Sequence, residues 1–400
     1  MHRPDRAVPP RQTLASLSAR RPDRGAPPGL DWRAWSFLEW LRVVGWPKLA
    51  DSSVAQARAD LRQLLSITSL WHPVCRVGDA NVAGRDAGVP VRVYVPFTGR
   101  EPRPLLVWFH GGGFVLGDLT IADPTCRALA NRSGAVVVSV DYRLAPEHSI
   151  LDGIDDAYAA AQWAMRHAAA LGCDPSRVAV GGESAGATLA ALVAQCCRDN
   201  GDPMPALQVL VYPCTDCTMA LCDPHPPTAQ LLTWEGCDWF AGHCFVNVDR
   251  ADPRVSPYRA ADHSRLPRAL VITAGCDLLC LDGEAYARRL RQAGVHVDLK
   301  RYEGQIHGFF MMDMIFPAAR RAQRRVASAL AAMPTGRNAA AGETATATTP
   351  SIAWAGPEQR AVSAWKELWS RLPPLVAVRV GRSLLESKLR RLRQRWLPSN

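Results

Sequence analysis

Through the middle of the chain, short uninterrupted apolar runs alternate with longer segments whose apolar residues recur every three or four positions. Runs of the first kind stand at residues 91–95, 105–109, 136–140, 178–181, 207–212, 270–273 and 297–302. Helical patterns fill 124–133, 155–170, 187–199 and 282–293 between most of them. A strand that is apolar throughout is covered on both faces, and a helix between strands carries the chain across to a parallel neighbour. The pattern predicts an α/β fold: a mostly parallel sheet with helices on both faces. In such sheets ligands bind beyond the carboxyl ends of the strands, so functional residues are expected directly after strands.

The flanks break the alternation. Residues 31–90 read as N-terminal cap helices. The first carries Trp32, Trp35, Phe37, Leu38, Trp40 and Leu41, and the second runs over about 54–65, with Asp51, Ser52 and Ser53 as candidate caps. The core is expected over 91–333. It is interrupted at 218–250 by an insertion with Trp234, Trp239, Phe240 and three cysteines, expected to lie over the sheet's end as part of a cap. Residues 1–30, rich in Arg and Pro, are expected to be disordered. An Ala/Thr-rich stretch makes 334–357 a low-complexity linker. Residues 358–397 then form a basic amphipathic extension divided by Pro373-Pro374, with Val362, Trp365, Leu368, Trp369 and Leu372 on one face of its first half.

Charge refines this picture. The net formal charge of +10 is carried by the ends, +4 in residues 1–30 and +7 in 356–400, so the body is close to neutral. No nucleic acid is expected as a partner, and the substrate need not be anionic. Eight of the thirteen Trp lie in 31–50 and 354–396. Trp and Arg on amphipathic helices suit peripheral contact with a membrane. Docking of the extension on the body or on another subunit is an equal alternative. No apolar run reaches the ~18 residues of a spanning helix, and the first thirty residues lack the apolar stretch of a secretory signal. Twelve cysteines without such a signal read as free thiols in a reducing cytoplasm. Cys214-x-x-Cys217 looks like half a zinc site, but no matching pair follows, and no metal or cofactor is expected.

The candidate chemistry sits where the sheet predicts it. Gly182-Glu183-Ser184-Ala185-Gly186 lies between a buried strand and a helix. Its glycines permit the sharp turn that lifts a serine hydroxyl out at the top of a sheet. After residues 105–109 comes His110-Gly111-Gly112-Gly113-Phe114, whose bare backbone can offer N–H groups to an oxygen that becomes negative during acyl transfer. Gly112, Gly113 and Ala185, the residue after the serine, are the candidate donors, while Gly111 is assigned to shaping the loop. The serine needs a base, and this architecture orders its triad Ser, acid, His. His307 follows the last strand and Asp277 the one before it. Asp282 is the rival acid, but its place at a helix start suggests an N-cap. His263 and His296 are expected at the surface, and His243 is a candidate pocket residue.

These residues resemble the bacterial branch of the hormone-sensitive-lipase family of α/β-hydrolases. The likeness spans about residues 50–333. Besides the two glycine motifs and His307-Gly308-Phe309-Phe310, it includes Asp141-Tyr142-Arg143-Leu144-Ala145-Pro146-Glu147-His148 and Asp252-Pro253-Arg254-Val255-Ser256-Pro257. It implies carboxylester hydrolysis without metal or cofactor, with Ser184 as nucleophile, His307 as base, Asp277 as orienting acid, and Gly112, Gly113 and Ala185 as oxyanion donors. It also implies a cap built from the N-terminal helices and the insertion. Glu183 departs from the family's usual Asp, and Ala187-Thr188 from its usual Gly-Asn. Asp141 and Arg143 are expected to pair beneath the site. The leading expectation is a serine carboxylesterase acting on short-to-medium acyl esters. An acyltransferase with the same triad is the enzymatic alternative, and a non-catalytic ligand receptor the remaining one.

Overall fold

The structure is a computed structural model that describes residues 27–83, 88–224, 231–335 and 350–355. Its frame is one nine-stranded sheet. The strands are β1 (Arg76–Val82), β2 (Val89–Val95), β3 (Arg103–Phe109), β4 (Val136–Val140), β5 (Cys173–Glu183), β6 (Leu207–Val211), β7 (Ala269–Cys276), β8 (Val297–Ile306) and β9 (Ala353–Ala355). They lie in the order β8-β7-β6-β5-β3-β4-β2-β1-β9. Strands β4, β3, β5, β6, β7 and β8 run parallel, and β2, β1 and β9 extend the sheet antiparallel.

Period-two alternation splits each central strand between two cores. Leu105, Val107 and Phe109 face one cluster, and Leu106 and Trp108 the other. The first is covered by α4 (Ile150–His167), α5 (Ala185–Asn200) and α7 (Cys280–Gln292). The second is covered by α1 (Trp32–Val43), α3 (Leu119–Ser133) and α8 (Pro317–Ala331). Covered on both faces, the strands need no polar alternation, which is why they read as continuous apolar runs.

The sheet reaches further than the apolar runs indicate, and the expected boundary at 91 moves to 76. β1 escapes the pattern because it is half polar. It is held by cross-strand pairing, with Arg92 donating to both Asp79 carboxylate oxygens at 2.7 and 3.1 Å. The expected linker 334–357 is likewise not all linker. Ala353–Ala355 pairs with β1, and the Arg76 guanidinium lies 4.5 Å from the Trp354 ring centroid. Helix α3 starts at 119 rather than 124, because Asp118 accepts the Thr120 and Ile121 amides at 2.8 and 2.9 Å. Helix α8, absent from the expected pattern, closes the fold.

The N-terminal segment holds α1 and α2 (Val54–Thr68), and the insertion holds α6 (Trp234–Cys244). The Trp239 indole N–H donates to Ser52 O at 3.0 Å, tying the insertion to the N-terminal segment. The expected disorder of residues 1–30 is corrected over 27–30, where Leu30 is buried in the core and its amide donates to Pro27 O at 3.2 Å, while residues 1–26 and the extension 358–397 lie outside the described residues.

Strand β3 is the switch point. The chain leaves it for β4 on one side, while β5 pairs on the other. The loops after β3 and β5 part there, and the crevice between them is where a ligand fits.

Candidate active site

At the end of β5 the chain turns directly into α5. Ser184 takes φ 56° and ψ −124°, a conformation a β-substituted residue adopts only when its surroundings enforce it. Two anchors do so. The Ser184 amide donates to Val211 O at 2.9 Å. Gly186 lies so close to β3 that a Cβ on it would sit 2.0 Å from Phe109 O. Helix α5 can approach only because that position carries no side chain.

The ends of β7 and β8, on the far side of β6, bring the other two residues to the serine. His307 Nε2 is 3.0 Å from Ser184 Oγ, and His307 Nδ1 is 2.7 Å from Asp277 Oδ2. The other Asp277 oxygen accepts the Leu279 amide at 3.1 Å. A carboxylate facing Nδ1 keeps the proton there, leaving Nε2 as an acceptor for the serine hydroxyl. The Tyr212 ring packs 4.6 Å from the imidazole. Burial lowers the His307 pKa, but the charge and hydrogen bond of Asp277 outweigh it and leave the imidazole above its ordinary value.

The glycine loop faces this group across the crevice. Gly112, Gly113 and Phe114 have φ of 116°, 59° and 61°. The Gly112 carbonyl accepts the Val115 and Leu116 amides at 3.1 and 2.8 Å. Ala185 is the first residue of α5, where backbone N–H groups have no partner within the helix and the helix dipole favours negative charge. Gly111 is different, because its N–H donates to the Glu183 carboxylate. The aromatic ring of Phe240, from α6, lies against the loop so closely that a Cβ on Gly113 would be 2.3 Å from it.

Glu183 is the site residue whose contact the motif alone does not reveal. Its carboxyl is fully buried between the elbow and the glycine loop, against Gly111. Burial pushes it up to about 8, against the opposing pull of the Gly111 N–H and His307. The only signal in the sequence is its place beside Ser184.

Several expectations are corrected. Asp282 does not cap its helix; the cap position is Leu279. It is buried and accepts the Thr215 and Asp216 amides at 2.7 and 3.3 Å, and burial lifts its pKa to about 7. It fastens the loop after β6, while Asp277 reaches the imidazole. Arg143 pairs with Asp156 on α4 at 2.8 Å rather than with Asp141. His263 is buried, with Nε2 3.0 Å from Pro257 O. His243, the candidate pocket residue, is half-buried on α6, with Nδ1 2.7 Å from Trp239 O. The twelve cysteines are free thiols, and no group of three metal-ligating side chains is arranged for an ion among the described residues.

A family model described as the α/β-hydrolase fold matches residues 106–311. The chain belongs to the hormone-sensitive-lipase-like family of α/β-hydrolases. The carboxylic ester hydrolase LipN of Mycobacterium tuberculosis is 40% identical over 309 residues, 74% of this chain and 81% of its own length. The carboxylesterase NlhH of the same organism is 41% identical over 288 residues, 70% of this chain and 90% of its own. Among solved structures, the hyperthermophilic esterase of the archaeon Pyrobaculum calidifontis superposes with a TM-score of 0.71 at 38% identity, covering 76% of this chain and 99% of that one. This α/β-hydrolase is an ester hydrolase of the carboxylesterase class.

Proposed function

We propose that the protein hydrolyses short-to-medium acyl esters through an acyl-enzyme on Ser184. The observation that carries this reading is the hydrogen-bonded line Asp277–His307–Ser184, at 2.7 and 3.0 Å, opening onto the glycine loop. His307 Nε2 takes the hydroxyl proton as Oγ attacks the ester carbonyl. Asp277 stabilises the imidazolium that forms. The oxygen that becomes negative accepts from the Gly112, Gly113 and Ala185 N–H groups. When the intermediate collapses, imidazolium gives its proton to the departing alcohol. Water then attacks the acyl group, losing a proton to His307, and the acid leaves as Ser184 recovers its own.

The acyl preference is proposed from the Phe240 ring, which lies against the donor loop at Gly113 and would stand beside a bound ester. A relative named ethyl acetate hydrolase, from Pseudomonas putida, is 39% identical over 259 residues and points the same way. The test is a rapid-quench experiment with p-nitrophenyl acetate. An acetyl adduct on the peptide holding Ser184 is expected; an adduct elsewhere, or none, removes the mechanism. Esters of rising chain length locate the preferred acyl group, and added alcohols distinguish hydrolysis from transfer by whether a new ester accumulates.

No helix among the described residues is long and apolar enough to cross a membrane. Peripheral membrane contact through 358–397 is the proposed role of the basic extension, by the Trp/Arg pattern of its sequence. Sedimentation with anionic vesicles, comparing the full chain with one ending at residue 355, tests it; equal binding removes the role. Free thiols fit a reducing, cytoplasmic setting.

A further inference from the structure

The glycine loop is held from behind by a side chain of the N-terminal segment. Arg58, on α2, donates Nε to Val115 O at 2.9 Å and Nη2 to Ala145 O at 3.1 Å. Its Nη1 and Nη2 also grip the two Glu147 carboxylate oxygens, each at 2.8 Å. Val115 and Ala145 are buried, and the Ala145 amide donates onward to Phe114 O at 2.9 Å. One guanidinium thus ties α2 to both strands of chain that flank Phe114.

The consequence falls on Gly113. The Gly112 carbonyl is turned toward Val115 and Leu116, whose amides donate to it. In a trans peptide unit the C=O and the N–H point in opposite directions. Holding the Gly112 carbonyl therefore aims the Gly113 N–H away from Val115. Three consecutive residues at positive φ, one of them Phe114, do not hold such an arrangement unaided. The brace also stays charged: the Glu147 carboxyl is held down to about 2, chiefly by its hydrogen bond from Arg58.

We propose that Arg58 is a positioning residue for ester hydrolysis, bracing the Val115 and Ala145 carbonyls so that the Gly113 N–H stays aimed at the oxyanion. The proposal rests on the reading of Gly112, Gly113 and Ala185 as donors. It gives the N-terminal helices a part in the chemistry beyond covering the cleft. Arg62, one turn along α2, supplies an internal control. It pairs with Asp118, which caps α3, so it docks the same helix through a different anchor.

The test uses the full chain as wild type, Arg58→Met, Glu147→Gln and Arg62→Met. Steady-state hydrolysis of p-nitrophenyl acetate is read beside inhibition by a trifluoromethyl ketone, whose serine adduct carries an oxyanion. Arg58→Met should lower kcat about 10- to 100-fold with KM within about twofold, and weaken the ketone by a similar factor. Glu147→Gln, which frees the guanidinium without deleting it, should lower both in the same direction by about three- to tenfold. It decides the matter if Arg58→Met does not fold. Arg62→Met should stay within about twofold of wild type. Unchanged kcat and ketone affinity in folded Arg58→Met overturn the brace, as do equal losses in the Arg58 and Arg62 variants. Failure of the underlying mechanism shows earlier and separately, as a wild type without an acyl adduct on Ser184, and takes the brace with it.

Discussion

The two walls of the crevice are held in place by different means. On the wall of the proposed nucleophile, Ser184, Asp277 and His307 each stand within a residue of the end of a parallel strand, and backbone bonds between adjacent strands set their spacing. The Ser184 amide bonds to β6, and the Tyr212 amide bonds to Ile272 O on β7 at 2.6 Å. On the opposite wall, the glycine loop has left the sheet and holds three positive-φ residues in a row. Its supports are side chains from elsewhere: Glu183 at Gly111, Tyr142 donating to His110 O at 2.7 Å, and Arg58 at Val115. The proposed triad is therefore a property of the sheet, whereas the proposed donor loop is a property of the tertiary assembly. Substitutions on the first wall should abolish the chemistry, and those behind the second should loosen it.

The largest effects belong to the groups proposed to react. Ser184→Ala and His307→Ala should each lower kcat for p-nitrophenyl acetate by about 10⁴-fold or more, and the double variant should lose little further, because the groups act as a unit. A double variant much worse than either would break that unity. Asp277→Asn follows, with a loss of about 10⁴-fold expected for a mis-set tautomer. It also carries a pH signature. Since His307 is raised and, as the proposed base, must be neutral, the acid limb of kcat/KM in wild type should lie above 6.5, and it should move down in Asp277→Asn as the carboxylate charge is lost. An unmoved limb would mean that another group controls it.

The second wall gives smaller numbers. A Cβ on Gly111 would lie 2.2 Å from the Glu183 carboxylate. Gly111→Ala should lower kcat by about 10- to 100-fold, and adding Glu183→Ala should recover part of that loss by making room. Strict additivity would mean that the two residues are not in conflict. Glu183 also marks stability. Its pKa is raised from 4.5 to about 8, so the folded chain keeps a proton that the unfolded chain releases. The stability this provides is complete below about 4.5 and is lost as pH rises through about 8. Glu183→Gln has no such proton, and its Tm should decline less between pH 5 and 9 than that of wild type; parallel declines would place the proton elsewhere. Far from both walls, Trp354→Ala should leave kcat within about twofold and lower Tm by about 2–4 °C, through loss of the Arg76 contact at the sheet edge.

The same contrast explains what the sequence made legible. Continuous apolar strands in parallel order place their carboxyl ends together, so Ser184, Asp277 and His307 could be picked out from position. β1 was not legible because Asp79 and Gly78 interrupt its pattern and its partner Arg92 lies on another strand. β9 is three residues within an Ala/Thr-rich context, and only pairing with β1 makes it a strand. Asp282 reads as a helix cap and His263 as a surface residue, yet both are buried: Thr215, 67 residues away, satisfies the first, and the Pro257 carbonyl, six residues away, the second. The roles of Glu183 and Arg58 depend on bonds across 72 and 57 residues of chain, which no local spacing records.

The most direct test of a serine held by strand ends is labelling with a fluorophosphonate, followed by peptide mapping of wild type, His307→Ala and Ser184→Ala. Wild type should take up one label per chain on Ser184, His307→Ala should label far more slowly at the same residue, and Ser184→Ala should take up none. Stoichiometric label on Ser184→Ala, or on a different peptide of the wild type, would contradict the account.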